Sequence, residues 1–580
     1  MPPSELARRR RRLLTRALPL SAIALAAFVA GLIFGTAPAP ETEAADRFVS
    51  ALARQNFSAM HGELNPASQR TYSPKKLRAA YLEAQETATL RSIDPDEAGD
   101  PETEDGRDAV KVPVRISTVS FGAFGSSLTL PFADGGIDWG PHLAFPDLRP
   151  GEQLKSDIKL AHRAEIRARD GTPLAAGPPL GRTSPLGSAA IDVSGLVGEA
   201  KPAELSELAR QGYPAGTPVG VSGLEQAFNR RLAGRSGGLL LAMSKQSEDR
   251  VLAQGEPLPG KPVKTSIDPD LQEAAVAGLG GRSGGVTVLD ARSGVVRALA
   301  GSAFSAPQPP GSTFKIVTTT AALEQGVVDL DDQFPITDGI NVGGRFIANA
   351  NDELCGGSFV ESFAASCNAV FAPLGPKIGE GDLVDTAERY GFNSMPTLYS
   401  ESATRITEPP SPTIPEDVGD DLDLGVTAIG QGEVLATPLE MASVAQTVAG
   451  RGVRMPTPIV TDRGLQADTE PVRVTSREVA GQLRELMVGV VAGGTGSAAA
   501  LPGVQVAGKT GTAELGPKSG APAPPPGEDP EQAVDAWFTA FAPAQSPRLA
   551  VAVLLIDAEA DGGVVAAPVA RDVLAAGLLG

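Results

Sequence analysis

PPGSTFKIVTTTAALEQG, residues 309–326, is the stretch on which the reading of the chain turns. Pro309, Pro310 and Gly311 break the backbone, and an apolar run follows Lys315. Ser312 is therefore expected at the first turn of a buried helix, with Lys315 one turn on over the same face. A serine hydroxyl is a poor nucleophile until a base takes its proton. Imidazole is excluded as that base, because the three histidines, His61, His142 and His162, all precede this helix by far. A desolvated lysine is the natural substitute, and it is neutral only if burial or a second cation lowers its pKa. The helix start also favours negative charge developing at Ser312.

S-x-x-K alone is a cheap pattern, which Ser73 with Lys76 and Ser156 with Lys159 also fit. Two further elements give it context. Ser366-Cys367-Asn368 is the only S-x-N in the chain; its hydroxyl is suited to relaying protons and its amide to binding a substrate amide. Lys509-Thr510-Gly511-Thr512 follows VQVAG, which alternates as a strand does, whereas Lys518-Ser519-Gly520 has no strand before it. A lysine on a strand edge holds a carboxylate and supplies the second cation that Lys315 requires. Gly511 lets a substrate backbone lie against that edge.

The surrounding pattern sets the domain. Residues 261–580 open with a helix signal at Asp268-Pro269. Two strands joined at Arg292-Ser293-Gly294 (Gly284–Gly301) come next, and the domain ends with a strand at Arg548–Asp557 and a helix from Pro568. Strands at both ends with helices between predict one antiparallel sheet covered by helices. Residues 151–260 carry short strands, a hairpin signal at Arg163–Ala175 turning on Asp170-Gly171, and a helix at Val221–Gly234. Residues 42–150 read as a small α+β domain of amphipathic helices and alternating strands. APAPPPGEDPE (Ala521–Glu531) is expected as a solvated loop.

At the N-terminus, Arg8–Arg12 precede the uncharged run Ala17–Gly35, long enough to cross a bilayer. The expectation is a cytoplasmic tail (1–16), an uncleaved anchor (17–37) and everything later outside the membrane. A signal peptide cut near Ala37-Pro38-Ala39 is the alternative.

Composition removes other classes. The formal net charge is −19 although the N-terminus is basic, which argues against binding nucleic acid through phosphates. Two cysteines exclude a disulfide framework and a Cys-rich metal site. Gly234–Gly238 and Gly281–Gly285 fit G-x-S-x-G, but no histidine follows either. Gly503–Thr510 fits the phosphate-loop pattern, yet its spaced residues are strand-like and no helix can follow.

PPGSTFK, SCN and KTGTAE, in this order within one domain, resemble the three active-site motifs of class B penicillin-binding proteins, the D,D-transpeptidases of bacterial wall synthesis. TSIDPDLQ, DARSGVVRALA, IGQGEVLATPLEMA (Ile429–Ala442) and DAWFTAFAP (Asp535–Pro543) resemble the same class. RAEIRARDGTPLA and GVSGLE resemble its pedestal, and residues 42–150 resemble the NTF2-like domain of its low-affinity, resistance-type branch. One departure is Pro309-Pro310, where relatives often carry an aromatic before P-G-S. The resemblance implies a multidomain α+β chain with an N-terminal transmembrane helix, the NTF2-like domain, an extended β-rich pedestal (151–260) and a serine β-lactamase/transpeptidase-like domain (261–580).

It further implies that Ser312 is acylated, Lys315 is its base and Ser366 shuttles protons. Asn368 would hold the acyl-side amide, Lys509, Thr510 and Thr512 the terminal carboxylate, and the Ser312 and Thr512 N–H groups the oxyanion. Implied ligands are stem peptides ending in D-Ala-D-Ala and β-lactams, with no cofactor or metal. The implied partners are a separate SEDS-type glycosyltransferase and other wall-synthesis membrane proteins. A D,D-carboxypeptidase, a serine β-lactamase and a non-catalytic β-lactam-binding scaffold are the competing readings. Cys355 and Cys367 flank the S-x-N turn, and a disulfide between them would fix it; two buried thiols are the alternative.

Overall fold

The computed structural model describes residues 38–104, 106–214, 216–245, 248–400, 411–517 and 532–580. The expected tail (1–16) and anchor (17–37), the loop Ala521–Glu531 and the Lys518 tripeptide lie outside the described residues. The chain forms two compact units. Among the described residues, one takes those up to Ala161, Lys201–Thr217 and Arg235–Pro259; the other takes His162–Ala200, Pro218–Gly234 and those from Gly260 onward. The 151–260 stretch, expected as one pedestal, thus contributes to both.

In the first unit, α1 (Pro40–Ala53) and α2 (Pro74–Thr87) accompany the strands β1 (Leu90–Pro95), β2 (Arg107–Thr118) and β3 (Ala123–Ala133). These strands pair antiparallel in that order. The amphipathic run after α1 does not continue as one helix. Gln55 turns left-handed at φ 55°, and Asn56 caps a new six-residue helix by accepting from the Ala59 N–H at 3.1 Å. Val110, Val112, Val114 and Ile116 of β2 alternate inward and meet Phe48, Leu52, Met60 and Leu77 in one core. Buried Trp139 donates from Nε1 to the Tyr81 hydroxyl (3.2 Å), which donates to the Leu143 carbonyl (3.0 Å). A second sheet pairs β4 (Gln153–Lys159) with β5 (Gly237–Met243) and β5 with β6 (Arg250–Gly255). This pairing draws the two ends of the 151–260 stretch into the first unit.

The second unit is built on a five-stranded antiparallel sheet. Its elements are α3 (Pro269–Leu279), β7 (Gly284–Asp290), β8 (Val296–Gly301), α4 (Lys315–Glu324), α5 (Phe359–Ala364), α6 (Pro438–Ala449), α7 (Arg477–Ala492), β9 (Ala507–Pro517), β10 (Gln532–Ala542), β11 (Leu549–Ala558) and α8 (Gly562–Leu579). The strand order is β8-β7-β11-β10-β9. Alternation along β10 divides two cores: Trp537 and Phe541 join the side of α4, α6 and α7, and Ala536, Phe538 and Ala540 join the side of α3 and α8. Because both faces are covered, β11 reads as the continuous apolar run LAVAVLL, buried throughout.

Three local expectations bear on this unit. The hairpin forms, with Ile166–Arg167 paired to Pro173–Ala175 and the Asp170 carboxylate accepting from the Thr172 N–H at 2.9 Å. The helix expected at Val221–Gly234 is two five-residue segments broken at the fully buried Phe228. Asn229, just past the break, accepts from the Gly220 N–H (2.9 Å) and from Arg163 (3.0 Å), and a continuous helix would forgo that junction. The last helix starts at Gly562 rather than Pro568, so the proline lies inside it. The carbonyl that loses its partner belongs to Val564, which faces solvent, and the interruption is tolerated there. α8 is also long and apolar enough to cross a membrane, but it packs on α3, β10 and β11.

Candidate active site

Gly311–Phe314 form a single 3-10 turn that leads into α4. Gly311 holds φ 51°, and a Cβ there would stand 2.6 Å from the Thr512 carbonyl oxygen. Its N–H donates to the Gly430 carbonyl at 2.9 Å. The turn bearing Ser312 is therefore clamped between β9 and the loop that follows Ile429, and only glycine fits at its head. Ser312 is half-buried and Lys315 fully buried.

The S-x-N element is the turn between α5 and a short helix at Asn368–Phe371. Ser366 sits at φ 61°, a left-handed conformation that costs energy for a residue with a side chain. Cys367 is bridged to Cys355 with a Cα separation of 5.8 Å, which ties the turn to the strand Cys355–Ser358. Lys509, Thr510, Gly511 and Thr512 lie consecutively on β9, an edge strand of the sheet.

These elements converge on one hydroxyl. Lys315 Nζ lies 2.7 Å from the Ser366 carbonyl oxygen, 2.7 Å from Asn368 Oδ1 and 3.4 Å from Ser366 Oγ. Lys509 Nζ donates to Ser366 Oγ at 2.8 Å and to the Thr510 carbonyl at 3.0 Å. The two amines thus reach the same serine from opposite motifs. Each also lies over an aromatic ring, Lys315 over Phe371 (5.3 Å) and Lys509 over Phe363 (5.7 Å). Burial, and after it the charge of Lys509, holds the Lys315 pKa well below the ordinary lysine value. Burial brings Lys509 down to about 7. A neutral Lys315 has two N–H bonds for its two close acceptors and a lone pair left over.

The remaining motif residues are placed as follows. Asn368 donates from Nδ2 to the Ala348 carbonyl at 2.9 Å. The Thr510 hydroxyl pairs with that of Thr495 at 2.6 Å. Thr512 is half-buried; its carbonyl accepts from Gln431 Nε2 at 3.4 Å, and its hydroxyl donates to Asp561 at 3.3 Å. Sequence reasoning had no role for Gln431, Thr495, Asn351 or Asp561. Gln431 at least lies in the quoted IGQGEVLATPLEMA stretch; the other three have no local signature.

Residues 284–575 match the penicillin-binding protein transpeptidase domain, and residues 155–265 match the penicillin-binding protein dimerisation domain. With the first match spanning half of its length, the chain belongs to the penicillin-binding protein transpeptidase family. The peptidoglycan D,D-transpeptidase PbpA of Mycobacterium tuberculosis H37Rv is 37% identical over 303 residues, covering 49% of this chain and 57% of that protein. The chain therefore spans little more than half the length of that relative. The peptidoglycan D,D-transpeptidase MrdA of Acinetobacter baumannii is 25% identical over 433 residues, 64% of this chain and 62% of its own. Among solved structures, the ceftriaxone acyl-enzyme complex of penicillin-binding protein A from M. tuberculosis superposes with a TM-score of 0.55 at 27% identity, covering 72% of this chain and 98% of that one. The D,D-transpeptidase domain of a peptidoglycan glycosyltransferase from Eggerthella lenta gives 0.56 at 28% identity, with the same coverage.

Proposed function

We propose that this chain is a serine D,D-transpeptidase that cross-links peptidoglycan stem peptides and is acylated by β-lactams. The observation that carries the reading is the approach of two buried lysine amines to the Ser366 hydroxyl, at 3.4 and 2.8 Å, beside the turn that bears Ser312. Neutral Lys315 takes the Ser312 proton as Oγ bonds to the carbonyl carbon of the penultimate D-Ala. The oxyanion is held by the Ser312 and Thr512 N–H groups, donors typically worth about 2.7–4 kcal/mol each. Collapse breaks the peptide C–N bond, and the departing amine takes its proton back from Lys315 through Ser366. An amine of a neighbouring stem then attacks the ester, passes its proton along the same route and frees Ser312. Lys509, Thr510 and Thr512 hold the terminal carboxylate, Gly511 lets the donor peptide lie along β9, and Asn368 holds the acyl-side amide. No step calls for a metal or cofactor.

In this reading residues 17–37 anchor the chain in the cell membrane with the catalytic unit outside. Residues 42–150 are an NTF2-like domain, 151–260 the pedestal, and a SEDS-type glycosyltransferase supplies the glycan. The test is labelling with fluorescent penicillin followed by peptide mapping. Wild type is expected to carry the adduct on Ser312, and Ser312→Ala to carry none. An adduct elsewhere, or equal labelling of the variant, would refute the assignment. Product analysis with donor and acceptor stem peptides separates transfer to an amine from hydrolysis by a carboxypeptidase.

A further inference from the structure

Thr512 already holds a carboxylate. Asp561, the residue before α8, accepts from the Thr512 hydroxyl through Oδ1 (3.3 Å) and from Asn351 Nδ2 through Oδ2 (3.0 Å). Asn351 belongs to a segment tied to the S-x-N turn. The Ala348 carbonyl accepts from Asn368, and Asn349 Oδ1 accepts from the Ala369 N–H at 2.9 Å. Asp561 therefore links the lysine strand to the serine turn. It has little freedom to drift, because a Cβ on Gly562 would stand 2.1 Å from the Trp537 carbonyl oxygen and 2.4 Å from that of Gly511. The start of α8 is seated directly on β9 and β10. A hydroxyl has one proton to donate, so Thr512 serves Asp561 or a ligand carboxylate, not both. Two carboxylates brought to one hydroxyl also repel.

We infer that Asp561 is a specificity-determining residue of this cleft: an internal carboxylate that a ligand's own carboxylate must displace from Thr512, and that slows acylation by anionic ligands relative to neutral ones. The inference rests on the reading of Ser312 as the acylated residue.

The experiment measures second-order acylation rate constants of the full chain with a penicillin and with its uncharged methyl ester. Wild type is compared with Asp561→Asn, which keeps the shape and removes the charge, and with Asn351→Gly, which suits φ 55° and releases one arm of Asp561. Asp561→Asn is expected to raise the constant for the penicillin about tenfold and to leave that for the ester within about twofold. Asn351→Gly is expected to act in the same direction, by about threefold. A common factor for both ligands, or no gain with the penicillin, overturns the role of Asp561 while Ser312 remains the acylated residue. Absence of any Ser312 adduct in wild type overturns the underlying reading and this one with it.

Discussion

In the first unit, Arg47 with Glu43 and Glu63, Arg107 with Asp138 and Lys111 with Glu102 stand near water, while the enclosed Glu152 is neutralised by Arg250 at 2.6 Å. The second unit buries charge, in two different ways. Glu225 is fully enclosed but receives Arg163 and Arg182 on its two oxygens, so the desolvated carboxylate is compensated. Lys315 and Lys509 are equally enclosed, yet face one another's charge and only neutral acceptors. A fold gains no stability from two amines whose protonation is depressed by burial and, at Lys315, also by the neighbouring cation. What such a pair supplies is an amine that gives up its proton far more readily than an ordinary lysine, and perturbed groups of this kind mark sites of chemistry. The contrast lies between burial that is neutralised and burial that is not, and it yields three tests of decreasing size.

The largest effect is expected at Lys315. Lys315→Arg keeps a cation in the pocket but removes the neutral form, because guanidinium does not give up its proton in proteins. Losing a general base costs on the order of 10²–10⁴-fold, so acylation by fluorescent penicillin should slow by that factor. A rate within about threefold of wild type would break the comparison, since Lys315 would then be no more than a buried cation.

How much of this was legible before folding differs by residue. Ser312 and Lys315 announce themselves because both belong to one local turn, and their demands on each other follow from chemistry. Lys509 is legible as a strand residue because VQVAG alternates ahead of it. That the two lysines meet at Ser366 is a property of the sheet edge and the α5 turn, which only the assembled unit reveals. The left-handed Ser366 and the Asp561 contact were not legible at all. A serine carries no mark of its φ, and Asp561 reaches Thr512 across 49 residues and two strands. The misplaced start of α8 has the same origin: a proline reads as a helix start, while the true start is set by Gly562 fitting against β9 and β10.

The second test sharpens the comparison through pH. Lys509 titrates near 7 in the fold against an ordinary value of 10.5, so it loses its charge as pH rises through neutrality. Lys315 also lies well below its ordinary value, through burial and then the charge of Lys509. Acylation by a ligand carrying a carboxylate should therefore decline above about pH 7 as its cationic anchor disappears, and the ester should decline less. Stability should move the other way. From about 7 toward 10.5 the unfolded lysine still holds a proton that the folded one has released, so this group's contribution to unfolding free energy rises with pH. Opposite slopes of acylation and thermal stability between pH 7 and 9 are the expected signature. Parallel slopes would mean that Lys509 stays charged in its pocket.

The smallest effect belongs to the first unit and serves as the counterweight. Arg47 makes a two-pronged contact with Glu63, 2.9 Å from Nε and 2.9 Å from Nη2. Its side chain is nevertheless 57% exposed, and water competes for both partners. Arg47→Ala should cost less than about 1 kcal/mol in denaturant unfolding, and it should leave the Ser312 acylation rate unaltered. The reasoning is the reverse of that for Lys315: ideal hydrogen-bond geometry at the surface carries little free energy, whereas imperfect geometry in an enclosed cleft governs the rate. A loss of several kcal/mol from Arg47→Ala would show that enclosure is the wrong variable, and that pairing geometry decides which charges matter in this chain.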